Sequence, residues 1–402
     1  MHLIDQAHQE GIGIILDWVP GHFCPDEQGL INFDGTPLYG WEKHKHWGTY
    51  KFDFKTRSNW SFLISNALFW YDHYHIDGIR VDAITSMLRL DYGNDKEFTP
   101  NFFGGYENLE AKDFIQELNK RVFKYYPDVL MIAEESSDWP LVTKPPHDGG
   151  LGFNYKWNMG WMNDTLEYIE EEFQHRKYHH NLLTFSLAYA YSENFILPLS
   201  HDEVVHGKKS LLDKQAGDYW QMFAGLRLLY LYQMTHPGKK LLFMGGEFGQ
   251  FIEWREYEAL DWLLLDYEKH RRVKEYCKHI NHLYLQEKAL YENDQNWDGF
   301  NWLEVNNTEQ SILSYQRKAH DTKDYLLVIL NFKPVAYEHY KIGVPEKIGY
   351  QEIFNSDALE YGGSGVVNKG VFKARKGHYH GQEYNIHLRI PPLGGIILKP
   401  MR

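Results

Sequence analysis

The chain has 402 residues, of which 43% are hydrophobic and 24% charged, and this globular composition excludes disordered, collagen-like and coiled-coil proteins. Its 42 Lys and Arg residues stand against 55 Asp and Glu residues, a net charge of −13. Because nucleic acids and anionic membranes attract positive charge, we predict that neither is a partner. Two cysteines are too few for a disulfide framework or a cysteine zinc site.

The sequence contains no signal for export or for membrane insertion. Its first residues show no basic region followed by an apolar run, and no stretch reaches the ~18 apolar residues of a transmembrane helix. We therefore predict a soluble cytoplasmic protein. The aromatic fraction of 16% suits a large core, and it also suits a carbohydrate ligand because aromatic faces match the apolar faces of sugar rings.

Short apolar runs alternate with helical patterns along the first 294 residues. Residues 1–10 are predicted to be the end of a helix, and a long apolar helix is predicted over residues 218–234. The predicted strands lie at residues 12–19, 76–83, 129–134, 152–155, 195–200 and 240–244. Alternating strands and helices predict a parallel sheet covered by helices. Six such units with long loops after the strands favour a (β/α) barrel of the TIM type over a doubly wound sheet.

The pattern changes near residue 295, where short alternating strands replace the helical period. The clearest of these strands lie at residues 312–315, 325–332 and 384–390. We therefore predict two domains: an α/β barrel over residues 1–294 and an all-β antiparallel sandwich over residues 295–402.

Polar side chains follow four of the predicted barrel strands. The residues are Asp17 with His22, Arg80 with Asp82, the pair Glu134 and Glu135, and His201 with Asp202. Any one of them would suit an ordinary surface charge. Because barrel enzymes carry their active residues at the carboxyl ends of the strands, four together predict a shared catalytic site.

Glycoside chemistry fits such a group of carboxylates. Cleavage of a glycosidic bond requires one carboxylic acid to protonate the leaving oxygen and a second carboxylate to attack the anomeric carbon or to activate water. Arg80 and Asp82 are two residues apart in a strand and share a face. A buried arginine would keep that carboxylate ionised, although a structural ion pair inside the barrel explains the same pattern.

Four motifs in this order carry a family resemblance. They are Asp-Trp-Val-Pro-Gly-His-Phe at 17–23, Gly-Ile-Arg-Val-Asp-Ala at 78–83, Met-Ile-Ala-Glu-Glu-Ser at 131–136 and Pro-Leu-Ser-His-Asp-Glu at 198–203. They resemble the four motifs of the α-amylase superfamily. The flanking residues 103–110, 149–161, 201–210 and 243–248 are similar to those of the glycogen branching enzymes within it.

The resemblance implies a role for each matching residue. It implies that Asp82 is the nucleophile, that Glu134 is the general acid and base, and that Asp202 stabilises the transition state. The residues implied to line the sugar-binding subsite are Asp17, His22, Arg80 and His201. Glu135 is the rival of Glu134 for the acid role, and since adjacent strand residues face opposite sides, one of the two points into the site.

The implied activity is retaining cleavage of an α-1,4-glucan bond and transfer of the segment to a 6-hydroxyl, which forms the branches of glycogen. The partner is then an α-1,4-glucan or glycogen, and no obligate protein partner is inferred. The resemblance also implies that the enzyme has no metal and no cofactor. An α-amylase-type or debranching hydrolase is the first alternative. A barrel that binds glucan without catalysis is the second, and the presence of all three carboxylates weighs against it.

The number of strands leads to a further expectation. A closed barrel of this kind has eight strands and the sequence supplies six. In the branching-enzyme pattern the Asp17 strand is the third. We therefore expect a fragment that lacks the first two barrel strands and the preceding β-domains. An open six-stranded sheet leaves edges unpaired, so we expect this chain by itself to be poorly soluble or inactive.

Overall fold

A computed structural model describes residues 1–26, 29–44, 47–93 and 98–402. The chain divides into two compact units. The first comprises residues 1–159 with 192–195, and the second comprises residues 160–191 with 196–402. The predicted domain boundary between residues 294 and 295 stays a prediction.

The first unit alternates strands and helices. Its elements are α1 (His2–Gln9), β1 (Ile15–Trp18), α2 (Arg57–Tyr74), β2 (Gly78–Val81), α3 (Ile84–Leu88), α4 (Leu109–Tyr125), β3 (Leu130–Ala133) and β4 (Tyr155–Trp157). The four strands pair in parallel in the order β1, β2, β3, β4. The predicted helix end and the first three predicted strands are thus confirmed, within a few residues at their ends.

The register of these strands places their carboxyl ends at one edge. Asp17 in β1 is paired with Arg80 in β2, and Val81 in β2 is paired with Ala133 in β3. The residues that follow β2 and β3 therefore leave the sheet at the same level. This register brings the polar residues of the first three motifs to one place.

Helices α2 and α4 supply the apolar cover of the first unit. Leu63, Ala67 and Tyr71 are buried at four-residue intervals in α2, as the helical period requires. The buried stripe of α4 contains Phe114, Leu118 and Val122. Strand β2 is buried along its whole length, which explains why its sequence is a nearly continuous apolar run.

The fourth strand was predicted at residues 152–155 and begins later, at Tyr155. Gly152 has a φ of +90°, a left-handed conformation outside a regular strand. The side chain of Asn154 accepts a hydrogen bond from the backbone N–H of Met131 at 2.7 Å. Residues 152–154 thus form a loop against β3, and the apolar Leu151 and Phe153 pack in the core from that loop.

The second unit begins with helices and two parallel strands. Its elements before residue 295 are α5 (Met159–Glu170), α6 (Asn181–Thr184), β5 (Phe195–Leu199), α7 (Tyr219–Thr235), β6 (Lys239–Leu242) and α8 (Glu268–Gln286), with the outermost residues Met159 and Phe195 belonging to the first unit. Strands β5 and β6 pair in parallel. Helix α7 begins at a capping box made by Asp218 and Gln221, and it is buried from Phe223 to Thr235.

The remaining strands are antiparallel. They are β7 (Phe300–Asn307), β8 (Ile312–Lys318), β9 (Tyr325–Asn331), β10 (Tyr337–Val344), β11 (Gly349–Asn355), β12 (Val371–Lys373), β13 (Arg375–Tyr379), β14 (Gln382–Ile390) and β15 (Gly394–Met401). They form one sheet in the order β12-β11-β15-β9-β8-β7 and another in the order β10-β14-β13. A core that includes Ile329, Ile342 and Ile386 joins residues of both sheets, so the predicted all-β sandwich is confirmed.

Among the described residues, no helix combines the length and the apolar character needed to cross a bilayer.

Candidate active site

A buried arginine lies among the carboxylates of the first unit. The side chain of Arg80 is 4% exposed, and its guanidinium carbon lies 4.3 Å from the centre of the Trp157 ring. One terminal nitrogen lies 2.9 Å from Asp82 and 3.7 Å from Asp17, and the other lies 2.5 Å from Glu134. The structure thus brings together four of the residues predicted from the motifs.

The turn after β2 holds both acidic residues in position. The backbone N–H groups of Asp82 and Glu134 donate to the carbonyls of Trp18 and Val81 at 2.9 and 3.0 Å, which continues the pairing of the strands. The N–H of Ala83 donates to the Glu134 carboxylate at 3.1 Å. Ala83 has a φ of +49°, a left-handed conformation that costs a residue with a β-carbon about 1 kcal/mol. Strain of this kind is typical of functional sites, where the surroundings enforce it.

Glu135 faces the opposite side of the β3 end and is fully buried. Its carboxylate lies 2.6 Å from the Lys156 ammonium. It also accepts hydrogen bonds from the Thr85 hydroxyl at 2.8 Å and from the Ser137 N–H at 3.0 Å. Protein groups therefore satisfy the hydrogen-bonding capacity of the Glu135 carboxylate, whereas Glu134 is the member of the pair that faces Arg80 and Asp82. The geometry favours Glu134 for the acid role, which stays a prediction.

The surroundings of Glu134 favour its protonated form. Burial, opposed by Arg80 and reinforced by the carboxylate of Asp82, raises the pKa of Glu134 to about 7. A carboxyl group that keeps its proton near neutral pH can donate it to a leaving oxygen. Burial, together with the charges of Glu134 and Asp82, also raises the pKa of the Tyr92 phenol.

His22 lies in an aromatic group next to these carboxylates. Its ring centre is 4.5 Å from that of His44 and 4.3 Å from that of Trp47, and its Nδ1 lies 2.9 Å from the Thr49 hydroxyl. Burial lowers the pKa of His22, and the charge of Asp82 opposes that shift. His22 is therefore a neutral hydrogen-bonding group at neutral pH, on a wall that would suit a sugar ring.

The last two predicted residues belong to the second unit. His201 and Asp202 begin a short 3₁₀ helix (His201–Val204) directly after β5. The Ser200 hydroxyl accepts a hydrogen bond from the Asp202 N–H at 3.3 Å, and His201 Nε2 lies 3.5 Å from Asp202 Oδ1. Asp202 is 45% exposed. That Asp202 acts in one site with Asp82 and Glu134 stays a prediction.

A cavity of about 1060 Å³ adjoins Asp202 in the second unit. Trp254 and Tyr257 line it together with His201, and the Tyr257 side chain is 73% exposed. Charged side chains of both signs also line it, among them Lys209, Glu253 and Arg255, so its walls combine aromatic faces with charged groups.

Several residues of the site were absent from the sequence-based prediction. Trp47 and Tyr92 lie in irregular loops, where no periodic pattern marks a position as important. Thr85 and Lys156 lie beside motif residues but gain their meaning from contacts between different strands. The sequence gave one indication of these contacts: of the adjacent Glu134 and Glu135, one must face away from the site, where it needs partners of its own.

Solved structures of other proteins share the fold of this chain. The structure matches an alpha-amylase from Geobacillus thermoleovorans complexed with acarbose, with a TM-score of 0.65, 13% identity, and coverage of 100% of this chain and 80% of that one. It matches a type I pullulanase from Bacillus subtilis complexed with maltose, with a TM-score of 0.69, 15% identity, and coverage of 99% and 55%. Residues 302–401 match the alpha amylase C-terminal all-beta domain family. The predicted barrel-type fold with an all-β C-terminal domain is therefore confirmed.

Comparisons of the amino-acid sequence find relatives of much higher identity. The chain is 58% identical over 406 residues to the 1,4-alpha-glucan branching enzyme of Halothermothrix orenii, covering 100% of this chain and 64% of the relative. It is 57% identical over 401 residues to that of Desulfitobacterium hafniense, covering 100% and 63%. The chain is similar along its whole length to these branching enzymes, and it spans slightly less than two thirds of their length.

Proposed function

We propose that this chain carries the catalytic residues of a 1,4-α-glucan branching enzyme. The observation that carries the proposal is the Arg80 cluster, in which one guanidinium bonds two carboxylates, Asp82 at 2.9 Å and Glu134 at 2.5 Å. Carboxylates bound to one guanidinium lie close together, which is the arrangement of retaining glycosidases, whose catalytic carboxyl groups are only about 5 Å apart. The identity to branching enzymes supports the choice of reaction.

The first step of the proposed reaction forms a glycosyl-enzyme. An Asp82 oxygen attacks the anomeric carbon of an α-1,4-linked glucose unit, and the bond from that carbon to the 4-oxygen of the next unit breaks. Glu134 gives its proton to the departing 4-oxygen. Arg80 pairs with the Asp82 carboxylate at 2.9 Å and orients it for the attack, and the raised pKa of Glu134 keeps Glu134 protonated for the donation.

The second step transfers the glucan segment. A 6-hydroxyl of an acceptor chain loses its proton to Glu134, and its oxygen attacks the anomeric carbon and releases Asp82. The product is an α-1,6 branch with the configuration retained. Asp202 would stabilise the positive charge that develops on the sugar, and Asp17, His22 and His201 would bind its hydroxyls.

Incubation with amylose tests the proposal. Because the relatives are longer than this chain, the experiment uses the chain alone and a joined protein, in which the chain carries the part of the H. orenii enzyme that it does not match. We expect the joined protein to make α-1,6 branches, measured by chain-length analysis after debranching. From the strand count, we expect the chain alone to make far fewer.

Two outcomes would contradict the proposal. Release of new reducing ends without branches would identify a hydrolase, the first alternative. A joined protein that melts cooperatively and binds amylose but leaves it unchanged would identify a glucan-binding barrel. The full H. orenii enzyme serves as the active reference in both cases.

We also propose that the protein works in the cytoplasm. Cys24 is an exposed free thiol and Cys277 a buried one, a state that a reducing compartment maintains. Fractionation of the source cells, with the protein recovered among soluble cytoplasmic proteins, would agree with this. Recovery from the medium would contradict it.

A further inference from the structure

A second polar network lies behind the two proposed catalytic carboxylates. It consists of Thr85, Glu135, Ser136, Ser137 and Lys156, and it is called the latch below. The Glu135 carboxylate is fully buried, and the Lys156 ammonium that pairs with it is 8% exposed. Lys156 also donates to the Ser137 carbonyl at 3.0 Å. A buried ion pair of this kind contributes little net stability compared with apolar residues of the same size, so a gain in stability does not by itself account for it.

The latch joins the two turns that carry the catalytic carboxylates. Thr85 lies three residues after Asp82, and its hydroxyl donates to Glu135 at 2.8 Å and accepts from the Ser136 N–H at 2.8 Å. A direct backbone bond, from Ile84 N–H to the Glu134 carbonyl at 3.0 Å, runs beside it. The turn after β2 is therefore fixed to the turn after β3 on the face opposite to the site.

We propose that the Thr85–Glu135–Lys156 latch is a positioning device that sets the separation and orientation of Asp82 and Glu134. This inference rests on the proposed function, for which that separation decides between attack by a carboxylate and attack by water. The left-handed Ala83 lies between Asp82 and Thr85, and its N–H points at Glu134. Without the latch, this strained turn would relax and Glu134 would move away from Asp82 and from its buried site.

The environment of Glu134 gives a readout that needs no turnover. The groups that act on it are Arg80 from β2 and Asp82 and Ala83 from the following turn. Burial and the proximity of Asp82 raise its pKa, and both depend on its position. If the turns separate, Glu134 becomes hydrated and the pH at which it titrates falls.

The experiment replaces the latch hydroxyl and follows this titration in the joined protein described above. Thr85→Val removes the hydroxyl and keeps the shape, whereas Thr85→Ser keeps the hydroxyl. The free energy of unfolding in urea is measured across pH for the unsubstituted protein and for each Thr85 variant, both with Glu134 and with Glu134→Gln. The difference in free energy between the Glu134 and Gln forms, followed across pH, reports the titration of Glu134. We expect Thr85→Val to lower the midpoint by roughly one pH unit or more and Thr85→Ser to leave it near that of the parent.

A matched control lies in the second unit. The Thr235 hydroxyl is fully buried and contacts the Leu231 carbonyl at 2.7 Å and the Tyr315 hydroxyl at 2.6 Å. Thr235→Val should lower the melting temperature much as Thr85→Val does, but it should leave the Glu134 midpoint unchanged. If Thr85→Val does not fold, Glu135→Gln takes its place, and we expect the same downward direction.

An unchanged Glu134 midpoint in a folded Thr85→Val or Glu135→Gln variant would overturn the proposal and leave the latch a purely structural network. The readout is proton binding by Glu134 and not branching. If the proposed function is wrong but the latch positions Glu134, Thr85→Val still lowers the midpoint of the Glu134 titration, while the protein without substitutions makes no branches.

Discussion

Replacing Glu134 by glutamine should stabilise the fold, and more so as the pH rises. Folding raises the pKa of this buried carboxyl from the ordinary value near 4.5 to about 7. Between these two values the folded chain binds more protons than the unfolded chain, so the stability of the parent falls as the pH rises through this range. A shift of about 2.5 units at about 1.4 kcal/mol per unit corresponds to roughly 3 kcal/mol.

Urea unfolding of the unsubstituted protein and of the Glu134→Gln variant at several pH values measures this change in the free energy of unfolding. We expect similar free energies of unfolding below about pH 4, where the glutamate is mostly protonated in both the folded and the unfolded state. The glutamine variant should gain an advantage of about 3 kcal/mol by about pH 8, because its neutral amide stays buried without ionising and can still accept from Arg80. A constant difference across this range, or one that favours the parent at high pH, would refute the reasoning.

Three further outcomes follow from the same contacts. In the joined protein, Asp82→Asn should keep its melting temperature within a few degrees and lose branching activity by orders of magnitude, because the nucleophile is gone while the shape remains. Glu135→Gln should lower the free energy of unfolding by about 3 kcal/mol, measured in urea, since it leaves the Lys156 ammonium buried without its partner. It should nevertheless retain more branching activity than Glu134→Gln, and the reverse order would show that the two roles are exchanged. The pH profile of kcat/KM should fall on its basic side near pH 7, where Glu134 loses its proton, and a profile without a basic limb would contradict its role as the acid.

The sequence predicted the parts of the site that depend on strand register. Arg80 and Asp82 share a face because they are two residues apart, and the parallel pairing of Asp17 with Arg80 follows from two similar apolar runs. The motifs themselves reveal which residues end the strands. The helices of the first unit were likewise visible as four-residue periods, such as Phe114, Leu118 and Val122.

The sequence alone does not predict the contacts between different strands and loops. Nothing in the neighbourhood of Lys156 reveals that it pairs with Glu135, because that contact depends on how β3 and β4 pair. Trp47 and Tyr92 lie in loops, where the sequence has no periodic pattern. Position 83 has a left-handed backbone, and the alanine there has no preference for this conformation. The strand at residues 152–155 was placed too early because its apolar residues pack from a loop.

Trapping of the glycosyl-enzyme tests the central claim most directly. Fluoride leaves without help from an acid, so α-maltosyl fluoride should load the joined protein carrying Glu134→Gln, and the missing base should slow the release of the sugar. Mass spectrometry of the digested protein should then find a maltosyl ester on the peptide that contains Asp82, and the additional substitution Asp82→Asn should abolish it. A stable ester on another residue, or release of fluoride that is unaffected by Asp82→Asn, would contradict the assignment of Asp82 and Glu134.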